Sequence, residues 1–345
     1  MLELDFVFSD KDYILQFMSK YPQSKNIFLL KISEIVIENY KDMSSEKIKK
    51  AIQNIENEKK DYFDEESKTL RLSNKRDAVE NSEFYINSSF EILIIPGNVK
   101  TIGNLAFSNC SLLKKVTIED GVEIIGENAF SQCSELIEIE IPKTVKQICS
   151  HAFEKCINLS KINLPNLKVI SECLFGGCSN LKEIKLHDSV EIIHNGAFYE
   201  SGIVDVKMPD SVESIGINSF RGCKSLLHVK LSNKITKISK CSFSQCFSLL
   251  NVEIPNSVKE ICGAAFFGCS SLINIDIPES VIEIGGASFH GCKKLSEITI
   301  PKSVKVIGGS AFTSCPALKK ATIPKDIQVK DGQPIFDPNF KNINN

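Results

Sequence analysis

The chain has 345 residues, of which 42% are hydrophobic and 24% charged, so it is long and apolar enough to bury a large core. Its 41 Lys and Arg residues are balanced by 43 Asp and Glu residues, which argues against the basic surface of a nucleic-acid-binding protein. No apolar run reaches the roughly 18 residues of a membrane-spanning helix, so we expect no membrane insertion.

Residues 1–80 contain no internal repeat, and we predict a mainly helical N-terminal region there. The clearest element is an amphipathic helix over residues 45–61, because Ile48, Ile52 and Ile55 recur at helical spacing among Lys and Glu residues. This helix could present a charged face to solvent or dock on a partner.

The end of this region carries a strand pattern. Thr69-Leu70-Arg71-Leu72 alternates between polar and apolar side chains, which predicts a strand that opens the following domain. We expect the N-terminal region to cap the exposed edge of that domain. The alternative is a separate recruiting module.

Residues 81–337 repeat one unit, which reads F-x-x-C-x-x-L-x-x-I-x-I-P-x-S-V-x-x-I-G-x-x-A-F. Its phenylalanines recur at intervals of 22 or 23 residues, at Phe107, Phe130, Phe153, Phe175, Phe198, Phe220, Phe243, Phe266, Phe289 and Phe312. A fixed period of this length is typical of stacked coils, each of which buries its apolar side chains against its neighbours. We expect a flexible tail at residues 338–345.

Within each unit, two apolar patterns predict the two sides of a coil. Leu272, Ile275 and Ile277 place apolar side chains on one side of a short strand that Pro278 ends. The V-x-x-I pattern that follows forms the opposite side. A phenylalanine then turns the corner, which predicts a continuous column of rings through the core.

The unit resembles the BspA-like (treponemal-type) class of leucine-rich repeat over about residues 84–336. The resemblance implies a β-rich, right-handed leucine-rich repeat solenoid with short strands in each coil of about 23 residues. It also implies binding of other macromolecules, without catalytic residues or a cofactor. Bacterial surface proteins are among the members of this class.

Most of the cysteines follow the repeat. Nine of the thirteen share one position in the unit: Cys110, Cys133, Cys156, Cys178, Cys223, Cys246, Cys269, Cys292 and Cys315. We predict a buried column of free thiols, because one cysteine per coil cannot converge on a metal ion. The other four, Cys149, Cys173, Cys241 and Cys262, precede the corner and could include a reactive thiol.

The strands also predict a binding surface. Side chains that flank the buried middle residue of each strand point outward together, because strand side chains alternate between faces. Three successive outward positions carry lysine, with carboxylates on either side. We call the following set the lysine strip: Glu183, Lys185, Asp205, Lys207, His228, Lys230, Glu253 and Asp276. The hypothesis is that it binds a protein partner; the alternative is that alternating charge only keeps the sheet soluble.

Together these features predict a non-enzymatic scaffold or adaptor that binds a protein partner. The five histidines fall at different repeat positions, and no nucleophile motif or phosphate-binding glycine loop is present. The first residues lack the basic stretch of a signal peptide, so we expect a cytoplasmic location. The alternative is a cell-surface adhesin that reaches the surface by another route.

Overall fold

The computed structural model describes residues 60–330 and 332–340. Within this part of the chain there are 23 β-strands and no helix. The predicted helix over residues 45–61 lies outside the described residues except for its last two positions. A helical cap therefore stays a prediction.

The strands are short and follow the repeat. They span β1 (Tyr62–Asp64), β2 (Thr69–Arg71), β3 (Ala78–Val79), β4 (Ile92–Ile95), β5 (Thr101–Ile102), β6 (Lys115–Ile118), β7 (Ile124–Ile125), β8 (Glu138–Glu140), β9 (Gln147–Ile148), β10 (Lys161–Asn163), β11 (Val169–Ile170), β12 (Ile192–Ile193), β13 (Asp205–Lys207), β14 (Ser214–Ile215), β15 (His228–Lys230), β16 (Lys237–Ile238), β17 (Asn251–Glu253), β18 (Glu260–Ile261), β19 (Glu283–Ile284), β20 (Glu297–Thr299), β21 (Val306–Gly308), β22 (Lys320–Thr322) and β23 (Gln328–Lys330).

These strands form two faces of a solenoid of about eleven coils. The first face contains the sheets β1-β2-β4-β6-β8-β10, β13-β15-β17 and β20-β22. The second face contains β3-β5-β7-β9, β11-β12-β14 and β16-β18-β19-β21-β23. From β2 onward, neighbouring strands pair in parallel one repeat apart, as Val229 does with Val252. The stacked coils predicted from the period are thereby confirmed, as is the β-rich leucine-rich repeat solenoid that the resemblance implies.

The sheets begin before residue 81. The strand predicted at residues 69–72 is present as β2, which pairs in parallel with β4. β3 likewise pairs with β5 on the second face. The role of the preceding residues as a cap or a recruiting module stays a prediction.

A column of phenylalanine rings runs through the core. Rings from Phe84 to Phe336 stack with centroids 5.0–5.9 Å apart and planes within 19° of parallel. Phe340 stacks on Phe336 at 4.5 Å and ends the column. The ten repeat phenylalanines from Phe107 to Phe312 are at most 1% exposed. The predicted column is therefore present, with Phe84 and Phe336 as further members.

The cysteine column supports the same corner by hydrogen bonds. All nine repeat cysteines are buried, and each thiol donates to the backbone carbonyl of the column phenylalanine in the preceding coil, at 3.0–3.4 Å. Cys246 Sγ, for example, lies 3.1 Å from Phe220 O. Each of these carbonyls also accepts a backbone N–H from its own coil, as Phe220 O does from Cys223 N at 3.3 Å. The thiol is a weak donor that uses the second acceptor site of the carbonyl. Thus the column is a structural element, as predicted.

The ladder of the second face is interrupted twice, between β9 and β11 and between β14 and β16. In the other coils from Phe107 to Phe312, the residue four positions before the column phenylalanine donates its backbone N–H to the preceding coil. At both interruptions this residue is a serine, and its hydroxyl group donates to the carbonyl of the preceding coil in place of the backbone N–H. Ser171 Oγ donates to Ile148 O, and Ser239 Oγ donates to Ile215 O at 2.6 Å. Serine side chains compete with backbone pairing in this way.

Candidate functional site

The structure brings five residues of the lysine strip together on the first face. Asp205 and Lys207 lie on β13, His228 and Lys230 on β15, and Glu253 on β17, and all five are exposed. The strands pair in register, so that lysines 207 and 230 are direct neighbours and Glu253 follows in the next coil. The buried middle valine of each strand leaves the two flanking side chains pointing to solvent.

The other three strip residues lie on segments that are not strands. Glu183 and Lys185 flank the partly buried Ile184, and Asp276 follows the buried Ile275. Their side chains are exposed as predicted, but the strands expected at these two places are absent. The first-face sheet is therefore interrupted in both coils, because no continuous backbone ladder passes through them.

The five clustered residues line an open depression of about 360 Å³, with Val206 and Val229 among its lining residues. Asn251 also lines it, and His228 Nδ1 donates to Asn251 Oδ1 at 2.6 Å. Asn251 is not among the predicted strip residues, although it occupies an outward position on β17. Hydrogen bonding of this kind orients the imidazole across the strands.

Charge in the strip is partly neutralised. Lys230 Nζ lies 3.4 Å from Glu253 Oε2, and both side chains are more than half exposed. In the described part of the chain, no carboxylate forms such a pair with Lys185 or Lys207. These two lysines are therefore the positions where a partner's carboxylate meets the least competition.

Similar ion pairs join coils elsewhere on this face. Glu138 lies between Lys115 and Lys161 and pairs with both. The hydrogen bond from Lys115 is the main reason that the pKa of Glu138 lies below its usual value. Such exposed pairs contribute about 0–1 kcal/mol each. They support the alternative that alternating charge serves the solenoid itself at these coils.

Burial works against nucleophilic chemistry at several of the thiols. Burial raises the pKa of Cys156 and of Cys223 to about 12. Burial is also the first cause that raises the pKa of Cys149 and Cys173, two of the four irregular cysteines. A reactive cysteine needs the opposite shift, because the thiolate is the attacking species. Between residues 60 and 340, apart from 331, no group of three or more potential metal ligands converges.

Family-level comparison agrees with this architecture. The model of the BspA type leucine rich repeat region matches in overlapping segments, at residues 25–120, 77–201, 106–227, 147–273 and 216–342. Comparison with curated proteins gives no match.

In the described residues no helix has the length and apolar character needed to cross a bilayer.

Solved structures show the same fold. The chain is similar to a leucine-rich cell surface protein from Faecalibacterium prausnitzii, at 25% identity and a TM-score of 0.52, over 77% of this chain and 87% of that one. It is similar to a leucine-rich repeat protein from Bacteroides ovatus at 25% identity and a TM-score of 0.51, over 78% and 87% of the two chains. The pneumococcal vaccine antigen PcpA shares the fold at 20% identity and a TM-score of 0.50, over 69% and 73%.

The family model matches far more than half of the chain. The phenylalanine and cysteine columns follow the 22- or 23-residue period of the sequence within the matched residues. The chain therefore belongs to the BspA-type leucine-rich repeat family.

Proposed function

We propose that the protein is a non-enzymatic interaction module that binds a protein partner on its first face, at the lysine strip. The observation that carries this proposal is the depression formed by β13, β15 and β17, where two lysines, two carboxylates and a histidine are exposed in register. Mixed charge of this kind selects a partner by complementarity more than by affinity. The preferred partner presents a carboxylate opposite Lys207.

The contact is expected to be extended and modest in affinity. Tight interfaces depend on buried Trp, Tyr and Arg side chains. The chain has no tryptophan, and the strip contains no tyrosine or arginine. Binding over several coils therefore supplies the affinity that no single pocket provides.

A scaffold or adaptor is the first form of this function, and a cell-surface adhesin is the second. The adhesin is favoured by similarity to the Faecalibacterium prausnitzii structure, which is described as a cell surface protein. The cytoplasmic location predicted from the sequence has no support in the comparisons. Both forms use the same binding face.

The test of the binding face is a triple charge reversal, Lys185→Glu, Lys207→Glu and Lys230→Glu. Immobilised wild-type and variant proteins are exposed to extracts of the producing cells and to intact neighbouring cells, and the retained proteins are identified. The control reverses Lys259, Lys302 and Lys305, which are exposed on the solenoid outside the strip. Partners retained by the control but lost by the strip variant support the proposal; equal retention by both variants refutes it.

The location is tested separately by adding protease to intact cells that produce the protein. Loss of the solenoid before lysis makes the protein an adhesin. Protection until lysis makes it an intracellular adaptor.

For the test of the binding face, circular dichroism of the variant with Lys185, Lys207 and Lys230 reversed checks that the fold is retained.

A further inference from the structure

A second cavity opens on the second face, at the gap between β9 and β11. It has a volume of about 580 Å³, within the range of roughly 300–1,000 Å³ typical of small-molecule sites. The gap lies where the interval between column phenylalanines shortens from 23 to 22 residues, at Phe153 and Phe175. We refer to this cavity as the gap cleft.

Backbone donors at one edge of the gap cleft lack partners. In the next coil, the N–H groups of Ile192 and His194 donate back to Lys168 O and Ile170 O, at 3.3 and 2.9 Å. The equivalent groups at the gap are the N–H groups of residues 169 and 171. Neither donates to any acceptor among the described residues. Both point back toward β9, because the parallel ladder sets their direction.

Three lysines line the gap cleft together with these donors, from both sides of the gap. Lys143 and Lys146 come from the coil before it, and Lys168 comes from the coil after it. Lys146 Nζ pairs with Glu123 at 2.6 Å and Lys168 Nζ pairs with Glu191 at 3.0 Å, each on a coil away from the gap. Exposed ion pairs of this kind are weak, so both lysines can exchange their carboxylate for an anionic ligand.

The rest of the lining is mostly neutral and combines apolar residues, such as Val145 and Leu167, with polar ones. It includes the side chains of Gln147, Ser150, Asn166 and His194, and Glu172 is its one carboxylate. Lys143 forms no ion pair within the described residues. Amide N–H groups together with ammonium groups form the donor set that proteins use for carboxylate and phosphate.

We propose that the gap cleft binds the carboxylate or phosphate group of an anionic ligand, held by the free N–H groups of Val169 and Ser171 and by Lys143 and Lys168. This site is separate from the lysine strip and lies on the other face. A serine that interrupts the ladder thereby has a function: it frees backbone donors that every continuous coil uses internally. The second gap lacks the three lysines, because Asp210, Glu213 and Thr236 occupy the equivalent positions.

The test is calorimetric titration with citrate and with inorganic phosphate at constant ionic strength. The variant is Lys143→Glu with Lys168→Glu, and the control is Lys259→Glu with Lys305→Glu, two lysines at the same repeat position as Lys168. We expect the cleft variant to bind at least about tenfold more weakly, because each lost charge-assisted contact is worth about a factor of ten. The control should bind like the wild type.

Hydrogen exchange separates specific binding from a general charge effect. A saturating anion should slow exchange in the segment that contains Val169 and Ser171 and leave the segment around Ser239 unchanged. The relative strength of citrate and phosphate shows whether the natural ligand carries a carboxylate or a phosphoryl group. Absence of binding by the wild type at millimolar anion, or an equal loss in the control variant, would overturn the proposal.

Discussion

Replacement of Phe243 by alanine should remove a large part of the stability of the solenoid. The ring is fully buried, and its centroid lies 5.4 Å from that of Phe220 and 5.5 Å from that of Phe266. Substitution of a buried phenylalanine by alanine costs about 3–5 kcal/mol. We expect the upper part of that range, because the neighbouring rings are held by their own coils and cannot collapse into the cavity. A domain with a free energy of unfolding of about 5–15 kcal/mol would lose a third or more of it.

The measurement is urea unfolding followed by far-ultraviolet circular dichroism. Repeat proteins couple mainly through nearest neighbours, so the central variant should also unfold in two separated steps. Phe340→Ala is the control, since this ring stacks on Phe336 alone at the end of the column. A loss below about 1 kcal/mol for the central variant, or an equal loss for the terminal one, would refute the reasoning, because a buried ring in contact with two others must cost more than a terminal ring.

Three further predictions concern the thiols, the corner glycines and the serine gaps. Burial raises the pKa of the Cys156 thiol to about 12, so its stabilising effect is complete below the ordinary thiol pKa and is lost as the pH rises toward 12. The free energy of unfolding measured in urea should therefore fall between about pH 8.5 and 11, with a slope that corresponds to about one proton released on unfolding for each such thiol; a constant free energy of unfolding would contradict this. Gly308→Ala should lower the free energy of unfolding, measured by heat or urea, by about 1–3 kcal/mol. The reason is that the new Cβ would lie 2.1 Å from a backbone nitrogen of the preceding coil. Gly176→Ala should lower it less, because its Cβ would lie 3.4 Å from the nearest atom. Ser171→Gly should restore the backbone hydrogen bond to Ile148 O and slow amide exchange at residue 171, and unchanged exchange would show that the serine does not cause the gap.

The repeat made most of the fold predictable from the sequence. The phenylalanine at the position of Phe243 recurs in every coil from Phe107 to Phe312, and the cysteine at the position of Cys246 recurs in nine of these ten coils. A side chain that recurs in a stacked architecture forms a column. Ser171 and Ser239 were not predictable as ladder breaks, because Cys149 occupies the same position and leaves the ladder intact. That difference depends on the reach of a hydroxyl group, which periodicity does not describe.

The candidate site was predictable in its exposure but not in its contacts. Alternation along a strand correctly places Lys207 and Lys230 on the outer surface. The ion pair between Lys230 and Glu253 depends on side-chain rotamers and on the register of β15 and β17. Lys185 shows a further limit, because its segment has the sequence pattern of a strand without forming one. The gap cleft had no signal in the sequence beyond the 22-residue interval.

The same gap sets how the solenoid responds to mechanical load. Between the coils of Phe153 and Phe175, the second-face ladder is broken, and β10 is the last strand of its sheet on the first face. The rings at this joint are 5.9 Å apart, the widest spacing in the column, and Phe153 N–H donates to Leu174 O at 3.2 Å. At this joint, tension along the solenoid axis is therefore carried by the stacked rings and by the backbone hydrogen bonds near them, because neither face has paired strands here. A protein pulled at its ends would therefore separate first at this joint, while the coils on either side remain folded as two units.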